Sequence, residues 1–89
     1  MQIKMAHLRE RSTTGAWVNF AVFSASSAVG NNDAALAHLT AQARRLGLQV
    51  DQAALAFSSA GRVRFYGTKN LVNYLSKRGV PRWTHTIDI

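Results

Sequence analysis

AALAFSSAGRVRFYGTKNLVNYL, residues Ala53 to Leu75, reads without a break as strand, tight turn, strand and helix. The apolar run Ala53–Phe57 stops at Ser58-Ser59-Ala60-Gly61, where small residues and a glycine supply the positive φ values of a hairpin turn. Arg62–Tyr66 then alternates, with Val63 and Phe65 on one face and Arg62, Arg64 and Tyr66 on the other. Gly67-Thr68 ends that strand, and Thr68 is placed to cap a helix whose Leu71, Val72 and Leu75 share one side.

Upstream of this unit, Leu48 and Val50 lead in from a helix predicted between Asn31 or Asn32, as cap, and Gly47, as stop. Leu36, Leu39, Ala43 and Leu46 fall on its apolar side. Asp33 suits the positive end of its dipole, and Arg44 and Arg45 the negative end. Ser26–Asn32 reads as a loop. Before it, Ala16–Ala25 is the strongest strand signal, with Val18, Phe20 and Val22 on one face and Trp17, Asn19, Ala21 and Phe23 on the other. Gln2–Arg9 is predicted as a strand with one wet face, and Arg9–Gly15 as the loop joining it to its antiparallel neighbour. Downstream, Gly79 and Pro81 stop the second helix, and Arg82–Ile89 alternates as a last strand with Trp83, His85, Ile87 and Ile89 on one side.

The element order is therefore ββαββαβ in a single α+β domain spanning residues 1–89. Without the extra N-terminal strand it is βαββαβ, the ferredoxin-like (split βαβ) pattern of an antiparallel sheet with two helices on one face. In that arrangement the helices cover Val18, Phe20, Val22, Leu55, Phe57, Val63 and Phe65, leaving Trp17, Asn19, Phe23, Arg62, Arg64 and Tyr66 on a bare face.

Eleven Lys and Arg against four Asp and Glu give a formal net charge of +7 and a pI near 11.3, a field that attracts anionic polymers or acidic proteins. No cysteine is present to form a disulfide or hold a metal cluster. The apolar runs fall short of the ~18 residues of a membrane span, and Met1–Met5 lacks the apolar core of a signal peptide. A cytoplasmic protein without a membrane partner is the expectation.

Catalysis finds no motif. Glu10, Asp33, Asp51 and Asp88 fall on different elements, and His7, His38 and His85 lack metal-ligand spacing, so neither enzyme activity nor a cofactor is expected. What the pattern favours is a binding module engaging nucleic acid, DNA or RNA, through Arg62, Arg64 and Tyr66, then Trp17 and Lys69, with Lys77, Arg78 and Arg82 extending the positive patch. A sheet presenting Gly61-Arg62-Val63-Arg64-Phe65-Tyr66-Gly67 is similar at fold level to an RNA-recognition motif, although this stretch departs from that family's K/R-G-F/Y-G/A-F-V-x-F/Y pattern and no residue role is carried over. The other reading of the same face is protein interaction, as a homodimer or a small regulator docking on an acidic protein. The turn Gly67–Asn70 has the backbone amides and the lysine to hold a phosphate, though a threonine there is more simply a helix cap.

Overall fold

The computed structural model describes residues 2–25 and 33–88, so the expected caps Asn31 and Asn32 and the loop up to them lie outside the described residues. Its elements are β1 (Gln2–Arg11), β2 (Trp17–Ser24), α1 (Asp33–Arg45), β3 (Gln52–Ser59), β4 (Arg62–Gly67), α2 (Lys69–Arg78) and β5 (His85–Asp88). The sequence order ββαββαβ is the one expected, and the fold is α+β with a five-stranded mixed sheet and two helices.

The strand order is β4-β3-β2-β1-β5. Hairpin neighbours β1 and β2 pair antiparallel, as do β3 and β4, whereas β2 and β3, joined by α1, lie side by side in parallel. This differs from the expected all-antiparallel split arrangement, in which another strand separates the two joined by the first helix. The N-terminal strand is also no appendage. It fills the place between β2 and β5, pairing Met5 with Phe23 on one side and Ile3 with Ile87 on the other.

The two helices cover opposite faces, a second correction. Leu39 and Ala43 of α1 pack with Met5, Ala21, Phe23, Ala53, Leu55 and Ile87, all of one parity along their strands. Leu71 and Leu75 of α2 pack with Ala6, Phe20, Val22, Ala54 and Ala56, the opposite parity. The physical reason is legible in the residues. β2 is apolar at both parities and β3 is apolar at five successive positions, the pattern of strands buried on both sides. In β1 the neighbours Met5 and Ala6 are both fully buried, so that strand has no wet face over its middle.

Register follows from the same parities. Leu55 pairs with Tyr66 and Phe57 with Arg64, which puts Leu55 and Phe57 on the α1 side and not with Val63 and Phe65 as expected. Trp83 joins the α2-side cluster while Ile87 joins the other, because regular pairing begins only at His85. Leu46 follows the last helical residue and is 61% exposed, so it does not belong to the apolar stripe of α1. Gly67, at φ +151, joins β4 to α2 where a Cβ would collide with the Ala53 carbonyl and stand 2.7 Å from the Ala54 Cα. No helix among the described residues is long and apolar enough to cross a membrane.

Candidate functional site

Parity in β4 is as the sequence implies: Arg62, Arg64 and Tyr66 project to one side, with Val63 and Phe65 on the other. The side they share is not bare, since α1 lies over its middle. The Tyr66 hydroxyl donates to the Asp33 carboxylate at the start of α1. That bond, then burial and the negative charge of Asp33, push the Tyr66 phenol above its ordinary value of 10.0. Tyr66 therefore ties strand to helix, while Arg62 and Arg64 remain exposed beside it on the edge strand.

Trp17 lies at the other end of the sheet. Phe20 is level with Gln52, and Phe57 with Arg64. Five steps from Gln52 to Phe57 and three from Phe20 to Trp17 put Trp17 and Arg64 about 26 Å apart along the strands, at roughly 3.3 Å per residue. Lys69 opens α2 and is exposed. Lys77 and Arg78 close α2, and Arg78 lies 4.7 Å from the Tyr74 ring centroid. Arg82 is exposed in the segment between α2 and β5. Of the eight expected residues, the fold thus groups Arg62, Arg64 and Tyr66 at one sheet edge and Lys77 and Arg78 at one helix end, with Trp17 apart from both. Thr68 occupies the N-cap position but its hydroxyl makes no cap bond; the helix starts with the Val72 amide donating to the Thr68 carbonyl at 2.9 Å.

A different cluster forms around Trp17. β1 runs on through Arg11, two residues past the expected end, and pairs Arg9 with Asn19 and Arg11 with Trp17. Both arginines thereby share a sheet face with the indole. Their guanidinium carbons stand 4.7 and 5.0 Å from its ring centroid, and Trp17 is 51% exposed. The hairpin is closed by Ser12 donating to the Ala16 carbonyl at 2.8 Å and Gly15 to the Ser12 carbonyl at 3.0 Å. Each guanidinium–indole contact is worth about 0.5–1 kcal/mol at an exposed site. Both cations are held over a flat apolar surface.

Just above that corner, the segment from α1 to β3 is tied to the sheet. The Asn19 backbone N–H donates to the Asp51 carboxylate at 2.8 Å, its side-chain amide to the same oxygen at 3.2 Å, and the Asp51 amide returns a bond to the Asn19 carbonyl at 2.8 Å. The two Asn19 bonds, backbone first, hold the Asp51 carboxyl below its ordinary value; Arg44 adds a smaller push in the same direction, and partial desolvation opposes it. His7 Nε2 lies 2.7 Å from the Gln49 carbonyl, and Arg44 donates to the Val50 carbonyl at 3.0 Å. Arg9, Arg11 and Arg44 thus border one tethered corner, with Trp17 at its outer end. Sequence reasoning missed the arginines because Arg9–Gly15 is polar. The signal was the continuing alternation Ile3, Met5, His7, Arg9, Arg11.

On the opposite face, the Tyr74 hydroxyl donates to Glu10 at 3.1 Å, and burial, then that bond, raises the Tyr74 phenol against the weaker influence of Arg78. Among the described residues, no three of His, Asp and Glu are grouped as a metal site. The sequence matches no protein-family model, no curated protein and no solved structure.

Proposed function

We propose that this protein is a non-enzymatic nucleic-acid-binding module whose contact centres on Arg9, Arg11 and Trp17. The observation that carries the reading is the pair of guanidinium groups held against a half-exposed indole at one corner of the sheet. Unstacked bases lie on indole and guanidinium planes, and phosphates take the remaining N–H donors, so a single strand suits the corner better than a closed duplex. The net charge of +7 steers such a polymer inward from a distance. Arg62, Arg64, Lys69, Lys77, Arg78 and Arg82 contribute at the periphery, where each exposed cation adds a phosphate contact without base reading. A cysteine-free chain meeting nucleic acid suits the cytoplasm.

Fluorescence anisotropy of labelled single-stranded DNA and RNA and of duplex DNA, titrated at several salt concentrations, tests the reading. Affinity falls steeply with salt. Replacing Arg9 and Arg11 by alanine reduces the log–log salt slope by about 1.4 for single strands, since each lost phosphate contact is worth roughly 0.7. Absence of binding at low salt, or a slope unchanged in the double variant, removes the proposal. Protein interaction is the second reading, and exposed Val63 and Val80 beside an open strand edge favour it.

A further inference from the structure

We infer that β4 is a docking edge for an extended peptide in which acidic and apolar residues alternate, added to the sheet as a sixth strand. The inference does not rest on the nucleic-acid reading, whose centre lies at the opposite end of the sheet and which uses Arg62 and Arg64 only at its periphery.

β4 is an outermost strand. It is joined to β3 by the two-residue turn Ala60-Gly61, and both residues have positive φ, 51° and 76°, as a type I′ turn demands. A hairpin of this kind closes on a pair that exchanges both hydrogen bonds, here Ser59 with Arg62. The alternation of an antiparallel ladder then gives Phe57–Arg64 and Leu55–Tyr66 the same character. Val63 and Phe65 fall in the intervening pairs, so their N–H and C=O groups point away from β3, toward the open edge. An incoming strand finds four backbone groups at the spacing a sheet requires.

The two sides of that edge differ in chemistry. On the α2 side, Val63, Phe65, Leu75, Gly79 and Val80, together with Arg64 and Ser76, line a groove between β4 and the end of α2. Val63 and Val80 are 50% and 43% exposed and also line an adjoining hollow that includes Trp83. On the α1 side, the same edge presents the exposed Arg62 and Arg64. Side chains of an added strand alternate between those sides. One set meets the arginines as cross-strand neighbours, and the other enters the groove. The matching peptide therefore carries Glu or Asp at every second position and a branched apolar residue between. A second copy of the chain is disfavoured as occupant, because edge-to-edge pairing of β4 brings two arginine rows together on molecules that each carry +7.

The probe is an end-blocked peptide, EVEVEVE, with EEEVVVE as a control of equal composition. Amide chemical shifts of the isotope-labelled protein are expected to move at residues 62–67 and 79–80 with the alternating peptide, and the Val63 and Phe65 amides to gain protection from exchange. The control binds at least tenfold more weakly. The double variant Arg62→Glu, Arg64→Glu loses EVEVEVE by at least tenfold and gains KVKVKVK. Val63→Pro removes an outward N–H without touching the ladder to β3, so it weakens binding while the amide spectrum of the rest of the sheet stays in place. Equal binding of both peptides, or shifts centred on Trp17, overturns the inference. So does a concentration-dependent dimer that Val63→Pro dissolves.

Discussion

The two faces of the sheet are covered by helices of similar length but held by different means. On the α1 side, packing of Leu39 and Ala43 is supplemented by polar ties: Tyr66 to Asp33, Asn19 to Asp51, His7 to Gln49 and Arg44 to Val50. On the α2 side, Leu71, Leu75, Phe20 and Val22 pack with Tyr74, and the bond from Tyr74 to Glu10 is a polar tie of that face. The difference is one of register. Directional bonds fix where α1 and its following segment sit along the strands, which in turn decides that the Arg9–Trp17–Arg11 corner stays open. Apolar packing on the other face resists removal but specifies position less sharply.

Truncation in each core should produce the largest effects. Phe23→Ala empties the centre of the α1 side and is expected to cost about 3–5 kcal/mol, and Leu71→Ala on the other side about 2–5 kcal/mol, both read from urea unfolding. A cost under about 1 kcal/mol for Leu71→Ala would break the comparison, since it would mean that α2 contributes little. Gly67→Ala, at the joint where the chain leaves the sheet for α2, should cost about 1–3 kcal/mol from backbone strain, with the collision against Ala53 and Ala54 adding to it.

Cutting polar ties comes next. Asn19→Ala strips the Asp51 carboxylate of its side-chain donor while the backbone N–H stays in place, and should cost about 1–3 kcal/mol, whereas Tyr74→Phe should cost about 0.5–1.5 kcal/mol. Equal costs would erase the distinction between the faces. The smallest effects are those of pH. The folded-state value of Asp51 is lowered, so its contribution is present above the ordinary carboxylate value of 3.8 and lost as pH falls through the lower folded one. Asp51→Asn should therefore flatten the acid limb of the stability profile below about pH 4. Tyr66 is raised, so its contribution is present below 10.0 and lost as pH climbs through the higher folded value. Tyr66→Phe should flatten the alkaline limb.

Much of the fold was written locally and some of it was not. Over Ala53–Leu75 the order strand, turn, strand and helix and the alternation within β4 are as the pattern indicates, because neighbouring residues decide them; the extension of β3 through Ser59 and the face that Leu55 and Phe57 share with Arg64 and Tyr66 were not. Which helix covers which face is a different kind of fact. A strand such as β2, apolar on both sides, has no local preference for which parity takes α1. The side-by-side placement of β2 and β3 likewise depends on how α1 docks. The wet face assigned to β1 failed for the same reason, since the burial of Met5 and Ala6 comes from its place inside the sheet. At the candidate corner, Trp17 was conspicuous as an aromatic on a strand. Its partners Arg9 and Arg11 were hidden by a polar composition that suits a loop equally well.

The place of β1 between β2 and β5 also means that this edge of the sheet closes only when segments far apart in sequence meet. β5 hydrogen-bonds to the sheet through β1, and Met5 and Thr84, which meet at its entry, are 79 residues apart in sequence. Until the residues around Ile87 pair with it, the outer side of β1 from Gln2 to Met5 has unsatisfied amides and carbonyls, and Met5 has its β2 partner Phe23 alone. Before that closure the margin is an open strand edge, the kind of surface on which another extended chain can pair.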